Sequence, residues 1–263
     1  MSGLASYPLS VIIITRNEEH NITDCLQSVK WANDLIVVDA QSSDKTVERA
    51  RALTEKVFVV AWRGYGEAKN YALQHTQHDW ILWLDADERV TTELTNEIQM
   101  LLDSPNKQYE AYEVARRAYF IGKWIQHCGW YPGYVVRLFR KDKVKFSTSR
   151  VHEKLEFRVE KGRLSQDLLH YTDENLFYYF SKLNRYTSLA AVDLNEQRRK
   201  FSLTDLLIKP PFLFVKMYIL RRGFLDGMHG LVLSLLSAAY VFIKYAKLWE
   251  RSRGSTSSTH GKA

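Results

Sequence analysis

Two carboxylates, Asp85 and Asp87, follow the apolar run Trp80-Ile-Leu-Trp-Leu84. The run reads as a strand, and an i, i+2 spacing on an extended backbone points both carboxylates the same way, at the carboxyl edge of a sheet. Two hard oxygen donors in that position suit a divalent cation, Mg²⁺ or Mn²⁺, that keeps part of its water and holds substrate phosphates. An Asp-X-Asp triplet alone also fits an ordinary solvated turn. The weight of the motif therefore depends on the elements around it.

Those elements repeat one pattern. Val11-Ile-Ile-Ile-Thr15 is an unbroken β-branched run, as expected of a strand covered on both faces, and it stops at Arg16-Asn-Glu-Glu19. Ile22, Cys25, Leu26 and Val29 then recur at helical spacing. Asp34-Leu-Ile-Val-Val-Asp39 is a second short strand ending in a carboxylate, and Ala40 to Thr46 is a polar loop able to start the next helix. Val57 to Ala61 is a third strand, followed by Arg63-Gly-Tyr-Gly-Glu-Ala-Lys-Asn70 and another helix. Alternating strands and helices predict a doubly wound α/β sheet, in which ligands lie outside the carboxyl ends of the strands. Thr15, Asp39, Gly64 to Asn70 and Asp85/Asp87 all fall at those ends.

As a set, Val11 to Glu19, Ile36 to Thr46, Gly66-Glu-Ala-Lys-Asn70 and Leu84-Asp-Ala-Asp87 resemble family 2 glycosyltransferases of the GT-A fold. Gly129-Trp-Tyr-Pro132, Arg137-Leu-Phe-Arg140 and Val151-His-Glu153 are similar to the branch that includes bacterial lipopolysaccharide inner-core β-glucosyltransferases. The resemblance spans about residues 8–200. It implies a Rossmann-like, mostly parallel sheet for nucleotide-diphospho-sugars over residues 1–200, with a helical C-terminal appendage. It also implies inverting, metal-dependent transfer of one sugar, glucose from UDP-glucose, onto a heptose. The Gln-X-X-Arg-Trp pattern of processive synthases is missing, which favours single addition over polymerisation.

The resemblance also assigns roles. Thr15, Arg16 and Glu18 match the nucleotide-binding first segment, with Arg16 where the family often has tyrosine. Asp39 matches the base-reading carboxylate, and a carboxylate can accept the imide N–H of uracil; a loop or capping role is the alternative. Gly66 lets the backbone approach the ligand, and Lys69 is placed to contact ribose or diphosphate or, alternatively, to be a solvated helix lysine. Asp85 would orient ribose or metal-bound water, Asp87 would ligate the metal, and His170 would complete the metal shell unless it is a core or loop histidine. Attack by a hydroxyl needs a proton acceptor; Glu153 is the candidate base, with His152 beside it to orient the acid or contact diphosphate, or simply at the surface. Trp130 and Tyr131, in a loop marked by Gly129, Pro132 and Gly133, are the acceptor-site candidates. Arg137 and Arg140 could meet acidic sugars or phosphates, or form structural ion pairs.

Composition bounds the alternatives. A chain of 263 residues with 46% hydrophobic and 25% charged residues suffices for one α/β core and an appendage. Two distant cysteines, Cys25 and Cys128, make neither a disulfide framework nor a zinc site. The N-terminus lacks signal-peptide character, so a cytoplasmic chain is expected. The net charge of +7 is concentrated from Arg198 to Arg253, which holds eleven Lys/Arg and three Asp/Glu. That region also carries Pro210 to Arg222 and the 17-residue uncharged run Gly227 to Ile243. Basic, aromatic and apolar helices over residues 201–250 suit an anionic membrane surface, at the inner face of the cytoplasmic membrane. Packing on the catalytic domain or on a second copy in a homo-oligomer, or a true membrane span for which the run is just short, are the alternatives. No nucleic-acid recognition motif accompanies the charge. Residues 251–263 have the composition of a disordered tail. A nucleotidyltransferase would need a Gly-rich phosphate loop that is missing, and a non-catalytic nucleotide-sugar-binding or membrane-binding module would not need Asp85, Asp87 and Glu153 together.

Overall fold

The structure is a computed structural model that describes residues 7–62, 64–105, 107–146, 155–157 and 159–257. The chain divides into two compact units, Met1–Arg117 with Gly133–His170, and Ala118–Pro132 with Tyr171–Ala263. In chain order the strands are β1 (Tyr7–Thr15), β2 (Ala32–Asp39), β3 (Val57–Val59), β4 (Trp80–Asp85), β5 (Glu88–Val90), β6 (Ala111–Phe120), β7 (Lys123–Trp124), β8 (Gly133–Arg140), β9 (Val144–Phe146), β10 (Leu155–Phe157), β11 (Lys161–Arg163) and β12 (Leu168–Asp173). The helices are α1 (Ile22–Ser28), α2 (Thr46–Arg51), α3 (Tyr65–Gln74), α4 (Thr92–Asp103), α5 (Leu176–Glu196), α6 (Leu203–Leu207), α7 (Lys209–Val215) and α8 (Met228–Ser257).

The sheet runs β3-β2-β1-β4-β8-β6-β12-β5. Its first four strands are parallel, with Ile13 opposite Val37 and Leu84, whereas β8 runs antiparallel to β4 and β6. Strand alternation explains why the apolar runs are continuous. Leu9, Val11 and Ile13 join Val37, Leu82 and Leu84 in one core with Ile22, Cys25 and Leu26 of α1 and Leu94 and Ile98 of α4. Ile12 and Ile14 join Ile36, Val38 and Ile81 in a second core with Ala68, Ala72 and Leu73 of α3. Both faces are thus dry, and a truncation such as Ile13→Ala should cost about 2–5 kcal/mol. The Thr91 hydroxyl starts α4 by accepting from the Leu94 N–H at 3.1 Å.

Near the start of β2, Asp34 is buried and accepts from Lys56 Nζ at 2.6 Å, from the Ser10 hydroxyl and from the Gln77 N–H at 2.8 Å. Burial alone would raise its pKa, but these three donors hold it below the usual carboxylate range.

In the second unit α8 packs on α5 and α7. Lys247 donates to Asn184, Thr187 and Ser188 of α5, and Lys209 pairs with Asp205 at 2.8 Å and with the Tyr245 hydroxyl at 2.9 Å. Part of the basic C-terminal charge therefore serves internal packing. Gly223 and Gly230 are fixed by close approach: a Cβ on Gly230 would lie 1.9 Å from the Gly223 carbonyl oxygen, and one on Gly223 would lie 2.6 Å from Cys128 Sγ. The loop before Trp130 is fastened by Asp226, whose carboxylate accepts from the Gln126 and His127 N–H groups at 3.3 and 2.9 Å. Among the described residues one helix, Met228–Arg253, is long and apolar enough to cross a membrane by length and composition. It is partly committed to packing, since Leu233, Tyr245 and Leu248 are buried. α8 continues to Ser257, past the start of the segment whose Ser/Thr/Gly content suggests disorder.

Candidate active site

The carboxyl ends of β1, β2 and β4 and the start of α3 gather most of the residues singled out in the sequence. Thr15 ends β1 with its hydroxyl buried and without a hydrogen-bond partner. Arg16 is exposed just beyond it. Glu18 shapes the entry to α1: its carboxylate accepts from the Asn21 side chain at 3.0 Å, and its N–H donates to the Thr46 hydroxyl at 2.8 Å. Asp39 ends β2 fully buried, and it accepts from both the N–H and the hydroxyl of Ser42. In this conformation Asp39 organises its own loop, the alternative role left open by the sequence.

Gly64, at φ 114°, takes up the sharp turn into α3, a backbone state open to glycine. Gly66 is buried in the first turn of α3. Lys69 is not a solvated helix lysine: it is 6% exposed, and its Nζ lies 3.8 Å from the centre of the Trp83 ring. Arg137 covers the same indole, with its guanidinium carbon 4.1 Å from the ring centre. An aromatic ring in contact with two cations lowers the cost of burying both.

Asp85 and Asp87 do not share one extended strand. β4 ends at Asp85, and Asp87 lies in the turn Ala86–Asp87 before β5. The two carboxylates have different partners. Asp85 Oδ2 accepts from Arg137 Nη2 at 2.5 Å, while Asp87 Oδ2 lies 3.4 Å from His170 Nε2. His170 reaches Asp87 because it sits opposite Glu88 in the antiparallel β5–β12 pair. Asp87 and His170 are both largely buried, at 15% and 14% side-chain exposure.

Arg137 therefore makes structural ion pairs, the alternative left open by the sequence. It is 3% exposed and also donates to Glu88 Oε1 at 2.7 Å. Its neighbour Arg140 pairs with Asp142 at 3.0 Å. Glu88, missed in the sequence, is fully buried; its Oε2 accepts from the Asp85 N–H at 3.0 Å, and Arg116 Nη1 lies 3.8 Å from its Oε1. Burial pushes the Glu88 carboxyl up, with Arg137 opposing; burial also opposes the charge on Arg137, but Asp85 and Glu88 raise its pKa. A signal for Glu88 was present: an acid directly after the Asp-Ala-Asp triplet, followed by apolar Val90.

No cluster of three or more His, Cys, Asp or Glu side chains able to hold a metal occurs among the described residues. Asp87 and His170 together offer one oxygen and one nitrogen donor, which fits a cation whose remaining positions are filled by water and diphosphate oxygens. Trp130 and Tyr131 lie in the second unit, where Trp130 packs edge-on to Phe120 at 6.3 Å and Tyr131 edge-on to Trp124 at 5.3 Å. His152 and Glu153 lie outside the described residues.

Residues 10–186 match the model of glycosyl transferase family 2, and the chain belongs to that family. It is a glycosyltransferase of mixed α/β GT-A architecture with a helical C-terminal region. An uncharacterised glycosyltransferase of Rickettsia typhi is 33% identical over 255 residues, covering 93% of this chain and 87% of its own. The lipopolysaccharide core biosynthesis glycosyltransferase LpsC of Rhizobium meliloti is 29% identical over 257 residues, covering 93% of each chain. Among solved structures, S. aureus TarS in complex with UDP-GlcNAc aligns with a TM-score of 0.46 at 13% identity, over 94% of this chain and 92% of that one.

Proposed function

We propose that the chain is a metal-dependent, inverting glycosyltransferase that moves glucose from UDP-glucose onto a heptose of the lipopolysaccharide inner core. The observation that carries the reading is the pairing of Asp87 with His170 beside Asp85, at the carboxyl edge of a family 2 sheet. The similarity to LpsC along nearly the whole chain supports the acceptor class.

In this reading Thr15, Arg16, Glu18, Asp39 and Gly66 line the nucleotide, with Asp39 giving its remaining lone pairs to the base. Lys69, held over Trp83, faces the ribose or diphosphate. Arg137 fixes one oxygen of Asp85 and leaves the other for ribose or water. Asp87 and His170 would hold Mg²⁺ or Mn²⁺, and a bound cation there supplies charge for the departing diphosphate. Glu153, with His152 beside it, takes the proton of the acceptor hydroxyl as it attacks the anomeric carbon from the face opposite the leaving UDP. Single displacement on an α-linked donor gives a β-glycoside. Trp130 and Tyr131 offer flat rings to the acceptor sugar, and residues 201–250 dock on the anionic inner face of the cytoplasmic membrane.

The test is a donor screen: purified full-length chain, extracted truncated lipopolysaccharides, several nucleotide sugars, and mass spectrometry of the acceptor. One hexose added from UDP-glucose alone is the expected result. Transfer from a different nucleotide sugar replaces the donor, and no transfer onto any heptose-terminated core overturns the acceptor.

A further inference from the structure

A groove of about 540 Å³ opens in the second unit, within the range of small-molecule sites. Trp130, Tyr179, Leu213, Met217 and Val241 give it apolar walls, and Lys216 and Arg221 stand at its lining as the only cations. The two cations are the first residue of an unusual turn and the residue that closes it. Residues Lys216–Leu220 form a π-helical turn closed by the Arg221 N–H donating to the Lys216 carbonyl at 2.8 Å. In an α-helix, positions five apart fall roughly 140° apart around the axis; the wider i→i+5 turn narrows that separation. The stem of Arg221 lies beside Gly129, and its carbonyl accepts from the Cys128 N–H at 3.1 Å, so the turn is tied to the aromatic loop.

Neither Lys216 nor Arg221 has a carboxylate partner among the described residues, in contrast to Lys209 and Arg199, which share Asp205. Around the turn Phe212, Val215, Ile219, Leu220, Phe224 and Leu225 are all 45% exposed or more. Paired cations above an apolar trough, ringed by exposed apolar side chains, complement an anion with a hydrocarbon chain behind it. A sugar offers no such chain, and an acidic peptide offers no such apolar length.

We infer that this groove is a phospholipid site: Lys216 and Arg221 hold the lipid phosphate, and one acyl chain lies against Tyr179, Leu213, Met217 and Val241. The bilayer is the source of the lipid, and the exposed apolar residues enter the acyl layer beside it. This deepens the proposed membrane docking of residues 201–250 and does not depend on glycosyl transfer. It turns a diffuse electrostatic attraction into a stoichiometric site.

The experiment titrates the full chain with sub-micellar dihexanoyl-phosphatidylglycerol, glycerol phosphate and dihexanoylglycerol, followed by tryptophan fluorescence and native mass spectrometry. Saturable uptake of one phosphatidylglycerol is expected, with the two fragments far weaker. The surface pair Lys216→Gln/Arg221→Gln should weaken uptake about tenfold or more, and Lys216→Arg/Arg221→Lys should retain it. Calorimetric UDP binding should be the same in every variant. Loss of UDP binding throughout would count against the proposed UDP-sugar donor alone. Glycerol phosphate binding as tightly as the lipid, uptake indifferent to the Gln pair, or a lipid-insensitive dimer burying the groove in sedimentation would each overturn the lipid site.

Discussion

Arg137 donates from Nη2 to Asp85 at 2.5 Å, so one oxygen of the strand-end carboxylate is committed to the protein itself. The same nitrogen meets the fully buried Glu88, and the Trp83 ring covers the guanidinium. The acidic edge is thus built around a buried cation. Removing that cation takes away the nearer of the two arginines that face Glu88 and leaves Arg116 Nη1 at 3.8 Å.

Arg137→Met should therefore destabilise the chain by about 3–5 kcal/mol in urea unfolding, the usual cost of breaking a buried pair from one side. Arg137→Met/Glu88→Leu should recover much of that loss, because both charges go together. A single variant as stable as the parent would mean that the ion pair contributes nothing to the fold.

Asp87→Asn keeps shape and removes charge from the proposed cation site. Transfer should fall to background and metal-dependent UDP binding should be lost, with the melting temperature close to that of the parent. A chelator should do the same to the parent, and Mg²⁺ or Mn²⁺ should reverse it. His170→Ala should weaken metal-dependent binding by about 10–100-fold. Undiminished transfer by Asp87→Asn in the presence of chelator would end the metal-dependent reading.

Glu153→Gln removes a proton acceptor without changing size. Turnover should drop on the order of 10²–10⁴, while calorimetric UDP affinity stays at the parent value. Lost UDP binding with unchanged turnover at saturating donor would place Glu153 on the donor side instead.

Acid stability should report on Asp34. Its folded pKa is depressed, so its contribution is present above the unfolded carboxylate pKa, about 3.9, and is lost as pH falls through the lower folded value. Asp34→Asn should lower stability at neutral pH and flatten the loss below about pH 4. Parallel stability–pH curves for parent and variant over that window would show that Asp34 titrates no differently when folded.

The sheet was legible because its strands are buried on both faces, which leaves unbroken β-branched runs such as Val11 to Thr15 whose ends show where the ligand edge must be. The direct partners of those ends were not. Arg137 looks like any arginine near an acceptor loop, and only the antiparallel pairing of β8 with β4 brings it to Asp85. His170 reaches Asp87 through the pairing of β5 with β12, a register that eighty residues of intervening chain conceal. Asp87 itself was misplaced because a strand pattern gives no sign that the backbone turns at Ala86. In the C-terminal region, net charge could not separate Lys247, spent on α5, from Lys216 and Arg221, which pair with no acid among the described residues.

The clasp between Asp226 and the N–H groups of Gln126 and His127 joins positions about a hundred residues apart. During synthesis the aromatic loop emerges long before its fastener. The α/β layers around β1, β2 and β4 draw on nearby sequence and can condense while the ribosome is still making the rest. The second unit has to wait for its last helices, and until they arrive its apolar surfaces are exposed to any hydrophobic neighbour. Closure of the aromatic loop accordingly waits for Asp226, and a chaperone or a membrane would find its longest window of access there.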